Sequence, residues 1–340
     1  MTSLMLAEAR EAPGRVAQAL RQDADAYAAL TRQLQARPPA FAATVARGSS
    51  DHAAGYAASL IGIVAGRVTA TVPPARVTRY GADHALSGAL VLGLSQSGAS
   101  PDLVRTLEAA RAAGALTVAV VNAEDSPLAR AAAHVLPQRA GAERSVAATK
   151  SFILTLVAVA RLVASWRGDA ALLAALPRLP ERLEAALACD WSAAVQMFAE
   201  ARDLYVVGRG PGLAIAGESA LKLKETSFLH AEAVSAAEIQ HGPRAVVGAG
   251  FPVLAYGIAD RGGADARALA EELAAAGARV ALAAPTPGAG LHLPLPPPLH
   301  PLLDPIVAIQ AFYVMAEAVA RARGLDPDRP RGLRKVTETL

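Results

Sequence analysis

The same landmarks occur twice along this chain at an almost constant spacing. Arg47-Gly48 and Arg209-Gly210 lie 162 residues apart, Ala89 and Phe251 also 162, and Gly114 and Gly277 lie 163 apart. An offset held across three landmarks argues for a duplicated unit and restricts the chain to folds that can be built in two similar copies. Around the landmarks the pattern is an apolar run closing on a turn. Residues 41–46 precede Arg47-Gly48-Ser49-Ser50, 89–94 precede Ser95-Gln96-Ser97-Gly98, and 116–121 precede Asn122. In the second half 204–207 precede Gly208-Arg209-Gly210, 252–256 precede Gly257, and 279–283 follow a helical stretch ending at Gly277. Each run reads as a buried strand. The Ala-, Leu- and Arg-rich stretches between them, such as 103–113 before Gly114, have helical length and a glycine stop. Alternating strands and helices give an α/β fold with a parallel sheet in each copy.

The chain has 340 residues, enough for two domains of ordinary size. The boundaries expected are an N-terminal helical segment over 1–28, a first domain over 29–170, a helical linker over 171–195, a second domain over 196–330 and a C-terminal tail over 331–340. A helical stretch over 151–198, interrupted by Pro177 and Pro180, bridges the halves, and the proline-rich 292–305 reads as a surface loop leading into a closing helix. With 53% hydrophobic and 19% charged residues the chain is neither disordered nor fibrous. Its 33 basic and 30 acidic residues are scattered rather than grouped, so no nucleic-acid partner is expected. The one cysteine, Cys189, excludes an internal disulfide and a cysteine-rich metal site. Charges at Glu8, Arg10, Glu11, Arg15 and Arg21 break up the start of the chain, which therefore does not read as a secretory signal. The run 152–160 is stopped by Arg161, well short of the roughly 20 residues of a membrane span. A soluble, cytoplasmic protein without a membrane partner is the expectation.

Open α/β sheets bind ligands beyond the carboxyl ends of their strands, so the loops after the strands carry the search for function. Ser95-Gln96-Ser97-Gly98-Ala99-Ser100 offers three hydroxyls and an amide immediately before Pro101-Asp102, a helix start. Hydroxyls and free N–H groups at a helix N-terminus suit a phosphate; the same loop also reads as a plain serine-rich cap. Ser49 and Ser50 add hydroxyls after the preceding strand. Neither loop has the Gly-Lys-Ser/Thr of a nucleotide P-loop, and Gly208-Arg209-Gly210-Pro211-Gly212 lacks the dinucleotide spacing, so no nucleotide cofactor is indicated. Glu218, Lys222 and Glu225 fall at i, i+4 and i+7 and share one helix face. On an exposed helix they would form an ordinary ion-pair ladder. They are, however, a dense cluster of titratable groups in a chain that is mostly Ala, Leu and Val.

Several motifs, taken in order, resemble the sugar isomerase (SIS) domain superfamily, and within it the isomerase half of glucosamine-6-phosphate synthase and the related glucosamine-6-phosphate deaminases. They are Met5, Glu8, Glu11 and Pro13; Arg47-Gly48-Ser49-Ser50; Leu94-Ser95-Gln96-Ser97-Gly98; Glu143 with Val146-Ala147-Ala148-Thr149-Lys150; Glu218 through Glu225; His230-Ala231-Glu232; His241-Gly242-Pro243; and Leu333 through Leu340. The resemblance implies two tandem flavodoxin-like, doubly wound SIS domains, a homodimer with an active site shared between subunits, and an amino-sugar 6-phosphate as ligand, with no cofactor and no metal. It also implies roles. Ser49, Ser50, Ser95, Gln96, Ser97 and Ser100 would hold the phosphate and sugar hydroxyls, and Val146 and Ala148 would line the sugar. Glu225 would move a proton between carbons 1 and 2 and Lys222 would stabilise the enediol oxygen. His241, from the neighbouring subunit, would open the ring, Lys335 would contact the carbonyl end, and Glu143 would lie near the amino group. Ala99 stands where the synthase motif has an acid, Ala148 replaces a serine, and the tail is shifted by one residue after Lys335, so the sugar is left open. The chain opens at the isomerase part, with Thr2 after Met1 where the synthase carries a glutaminase domain, and this favours deamination over synthesis. The alternatives are synthesis with ammonia from a separate glutaminase and a non-catalytic sugar-phosphate sensor.

Overall fold

The computed structural model describes residues 2–335. Their strands form two five-stranded, wholly parallel sheets. The first contains β1 (Ala42–Val45), β2 (Thr69–Thr71), β3 (Leu90–Ser95), β4 (Leu116–Val121) and β5 (His134–Pro137), in the order β2-β1-β3-β4-β5. The second contains β6 (Asp203–Gly208), β7 (His230–Ser235), β8 (Pro252–Tyr256), β9 (Arg279–Ala284) and β10 (Leu291–Pro294), in the order β10-β9-β8-β6-β7. Read from either end, the two orders are the same doubly wound arrangement, as the sequence repeat requires. Parallel strands need helical crossovers, and the helices cover both faces. The inner strands are accordingly mostly apolar, and β1 and β3 are buried along their full length.

The central strands coincide with the apolar runs of the sequence. The four strands without such a signature, β2, β5, β7 and β10, are the outer strands of the two sheets. An outer strand pairs on one side only and is partly exposed, so it needs no continuous apolar run. In β2, for instance, Ala70 stands between Thr69 and Thr71, and all three are half-buried or exposed. The expectation that 292–305 is one loop is corrected here. His292, Leu293 and Pro294 lie in β10, paired in parallel with β9, and only the residues after them form the proline-rich loop.

The chain divides into two compact units, each made of separate segments. One holds the first sheet and comprises Gly14–Glu143, Lys150–Pro177 and the segment starting at Arg334. Its sheet core is built from residues such as Val91, Leu107, Val121 and Leu128, and the helix Lys150–Arg167 is buried along most of its length. The other holds the second sheet and comprises the segment ending at Pro13, Arg144–Thr149 and Arg178–Leu333. Its sheet core includes Val207, Leu254, Leu269 and Leu282. The helix Asp304–Ala322 is long and apolar enough to cross a membrane, but 78% of its apolar window is buried inside the fold. Ile309, Phe312 and Tyr313 on it are fully buried, which is the composition of a core helix surrounded by protein.

Phe312→Ala removes a completely buried ring from that helix. Such truncations cost about 3–5 kcal/mol, and urea unfolding of the variant should show a loss of that size.

Candidate active site

The order of the first sheet reverses between β1 and β3, and at such a switch point the loops beyond adjacent strands diverge and leave a crevice. Both serine loops lie there. Gly48, at φ 56° and ψ −134°, turns the chain from β1 directly into the helix Ser49–Leu60, so that Ser49 and Ser50 are its first two residues. Beyond β3, the Ser95 hydroxyl accepts from the Gly98 N–H at 3.0 Å and the Ser97 hydroxyl from the Ala99 N–H at 3.3 Å. Gly98 has φ 61°, and a Cβ there would stand 2.1 Å from the Ser126 hydroxyl, so the turn admits glycine alone. Ser100 holds the N-cap position of the helix Pro101–Ala112, while Gln96 is half-buried with its carbonyl accepting from the Asn122 N–H at 3.2 Å. Two helix N-termini and five hydroxyls thus border the switch point, an arrangement suited to an anion.

A pair that the sequence reasoning left unassigned ties the two loops together. Arg47 donates to Asp102 Oδ2 from Nε at 3.2 Å and from Nη2 at 3.0 Å, while Asp102 Oδ1 accepts from the Leu103 N–H at 2.8 Å. Asp102 is buried in the first turn of its helix and Arg47 is about half exposed. The available signal was an arginine next to a glycine and an acid just inside a helix start, but nothing in their spacing of 55 residues foretold the contact.

Glu143 belongs to the same unit. Its Oε2 accepts from Lys335 Nζ at 2.9 Å and from the Ser151 hydroxyl at 2.6 Å, and its Oε1 from the Ser151 N–H at 3.0 Å. Burial raises the pKa of this fully enclosed carboxyl, but the Lys335 charge and the bonds from Ser151 outweigh it and hold the group below the ordinary glutamate range. The tail residues Val336 to Leu340 lie outside the described residues.

In the second-sheet unit the helix Pro211–Ser227 brings the acid and lysine cluster together. Lys222 Nζ bonds to Glu225 Oε2 and stands 3.7 Å from Glu218 Oε1, which also accepts from the Tyr313 hydroxyl at 3.1 Å. Glu218 and Lys222 are buried, whereas Glu225 keeps about a fifth of its side chain exposed, 22%. The cluster is therefore no solvent-exposed ladder: a buried ammonium is held between two carboxylates, one enclosed and one open to solvent. Beside them the Ser219 hydroxyl bonds both the Ile215 carbonyl and the Tyr256 hydroxyl, and burial pushes the Tyr256 phenol far above its usual range. Val146 and Ala148 are half-buried on the segment Arg144–Thr149 of this unit. His241 ends a short 3-10 turn, Glu238–His241, and is exposed.

The second sheet keeps the backbone of the Gly48 turn without its hydroxyls. Gly210, at φ 55° and ψ −132°, repeats the turn of Gly48, but Pro211 and Gly212 follow it in place of two serines. At the other loop, beyond β8, the Asp260 carboxylate caps the helix Arg261–Ala275 by accepting from the Gly263 N–H.

A family model for the SIS domain matches residues 42–165 and 197–284, one match on each sheet and together more than half of the chain. The chain belongs to the SIS domain family. Among its SIS-family relatives, the glutamine–fructose-6-phosphate aminotransferase (isomerizing) of Methanothermobacter thermautotrophicus is 36% identical over 268 residues, covering 76% of this chain and 45% of that protein. The chain spans about half the length of the curated relatives it matches. A candidate phosphosugar isomerase from Silicibacter pomeroyi DSS-3 is 42% identical, with a TM-score of 0.90 over 96% of this chain and 100% of that one. The C-terminal domain of the glucosamine–fructose-6-phosphate aminotransferase of Francisella tularensis is 26% identical, with a TM-score of 0.87 over 97% of this chain and 99% of that one.

The lowered pKa of Glu143 makes its contribution to stability pH-dependent. The contribution is complete above the unfolded-state pKa, about 4.3 for a glutamate, and is lost as pH falls through the lower folded-state value. The difference in unfolding free energy between the wild type and Glu143→Gln, measured in urea, should stay level from about pH 8 to 5 and shrink only as the pH drops below about 4.

Proposed function

We propose that this SIS-family chain is an aldose–ketose isomerase that deaminates an amino-sugar 6-phosphate, converting glucosamine 6-phosphate or a close relative, with water, to fructose 6-phosphate and ammonia. The observation that carries the reading is the cluster on the helix Pro211–Ser227, where the half-buried carboxylate of Glu225 lies against the buried ammonium of Lys222. A proton shift between adjacent carbons needs a carboxylate that can reach substrate and a fixed cation beside the developing oxyanion. The names of the aminotransferase relatives support a hexose 6-phosphate as the substrate class.

In this scheme Ser49, Ser50, Ser95, Gln96, Ser97 and Ser100 bind the phosphate and the sugar hydroxyls, and Val146 and Ala148 line the sugar. His241 passes the proton that opens the ring, acting in the site of a second subunit of a homodimer. Glu225 removes the proton from carbon 2 of the open-chain amino aldose and returns it to carbon 1, while Lys222 balances the charge on oxygen 1 of the enediol-like intermediate. The resulting imine at carbon 2 takes up one water and releases ammonia, leaving the ketose. Lys335 and Glu143 are assigned to the carbonyl end and the amino group. Deamination needs only water as second reactant. The relatives' names favour a second reading, in which the same proton shift runs backwards with ammonia from a glutaminase; assaying both directions separates the two.

Two variants test the assignment. Removing both hydroxyls in Ser95→Ala/Ser97→Ala deletes hydrogen bonds to a charged group, each worth about 1.5–3 kcal/mol. Calorimetric affinity for glucosamine 6-phosphate should fall by about tenfold or more, with glucosamine itself unaffected. An unchanged affinity removes the phosphate from this loop. Glu225→Gln keeps the length of the side chain but cannot accept the carbon-bound proton. Ammonia release should drop by about two to four orders of magnitude with binding retained, and continued exchange of the carbon 2 proton with solvent would assign the base elsewhere.

A further inference from the structure

Among the N-terminal residues Met5, Glu8, Glu11 and Pro13, Glu8 combines a charge with deep burial. It lies on the helix Leu4–Arg21 and is only 5% exposed. A carboxylate so deeply buried is costly unless hydrogen bonds compensate it. Glu8 accepts from two consecutive backbone amides: Arg144 N–H bonds to Oε1, and Ser145 N–H to Oε2 at 3.2 Å. The next amide, Val146 N–H, donates to the Asp328 carbonyl at 3.2 Å. The Asp328 carboxylate in turn accepts the amides of Leu4 and Met5, at 2.8 and 2.7 Å, at the head of the Glu8 helix. That helix is itself anchored to the helix Asp304–Ala322, through the Gln310 side chain to the Ala9 carbonyl at 2.9 Å and the Ser3 hydroxyl to Glu317 at 2.7 Å. All of these groups belong to the second-sheet unit.

The segment so held is neither helix nor strand, and its side chains alternate: Ser145, Ala147 and Thr149 are buried, Val146 and Ala148 half-exposed. Where side chains alternate, a slip of one residue exchanges the outward set for the buried one. A fork on two successive amides is a device that forbids such a slip.

We propose that Glu8 is a positioning residue that fixes the register of Arg144–Thr149, and with it the presentation of Val146 and Ala148. The functional part rests on the reading above, in which those two side chains line the sugar. Glu8, on a helix whose head Asp328 holds, then sets sugar-phosphate affinity without touching the substrate.

Glu8→Gln places an NH2 against one of the two amides, whereas Glu8→Asp keeps both oxygens and the charge on a shorter arm. Hydrogen exchange should show at least tenfold faster exchange of the Arg144 and Ser145 amides in Glu8→Gln, with the helix Pro211–Ser227 unchanged and Glu8→Asp intermediate. The dissociation constant for glucosamine 6-phosphate should rise at least tenfold in Glu8→Gln while that for inorganic phosphate, probing the serine loops alone, stays constant. Unchanged protection of the two amides overturns the proposal, and so does unchanged sugar-phosphate affinity in a variant whose amides have lost protection. If Glu8→Gln does not fold, Asp328→Asn weakens the bonds to the Leu4 and Met5 amides that hold the head of the Glu8 helix, disturbs the placement of Glu8 instead, and is read by the same two measurements. Should the wild type bind no amino-sugar phosphate, the substrate reading falls, and the exchange experiment alone upholds or overturns the register role of Glu8.

Discussion

Parallel pairing of strands buried on both faces is the constraint on which the rest of the molecule depends. Because β1, β3 and β4 run the same way, every connection between them must cross over the sheet, and every loop that follows a strand emerges at the same end. Where the order reverses, between β1 and β3 in one unit and between β6 and β8 in the other, two such loops border one crevice. Helices begin directly from these loops, so their unpaired N–H groups and positive dipole ends gather at the strand ends. The polar chemistry of the first unit stands on this backbone arrangement, which apolar side chains elsewhere maintain.

Duplication supplied the scaffold twice, and the side chains then diverged. Gly48 and Gly210 have nearly the same dihedral angles, yet one turn leads into Ser49-Ser50 and the other into Pro211-Gly212. The second unit carries its titratable cluster within a helix instead. There the Lys222 ammonium is removed from water and survives because Glu218 and Glu225 flank it. Unequal burial of the two acids matters: Glu218 is enclosed and bonded by Tyr313, whereas Glu225 retains access to solvent. The two carboxylates are thus distinguished by environment rather than by residue type.

The apolar runs of the sequence marked the inner strands because a strand covered on both faces is apolar at most of its positions. The outer strands were not legible. His292 and Pro294 in β10, or Thr69 and Thr71 in β2, look like loop residues because an outer strand is held by backbone bonds on one side and needs little from its side chains. Glu218, Lys222 and Glu225 were legible as one face of a helix, since helical periodicity is local.

By itself the sequence determined the duplicated α/β architecture, the serine-bearing turns at the strand ends and the alignment of one acid–lysine–acid face. Each follows from spacing along a continuous stretch of chain. Only the tertiary structure decided that this face is buried, that Arg47 meets Asp102, that Lys335 meets Glu143 across 192 residues, and that Glu8 accepts the amides of Arg144 and Ser145. Those contacts arise when segments distant in sequence are folded into one unit, as the interleaving of Gly14–Glu143 with Lys150–Pro177 and of Arg144–Thr149 with Arg178–Leu333 requires. A buried charge selects its partner by proximity in space, and no periodicity along the chain encodes that proximity.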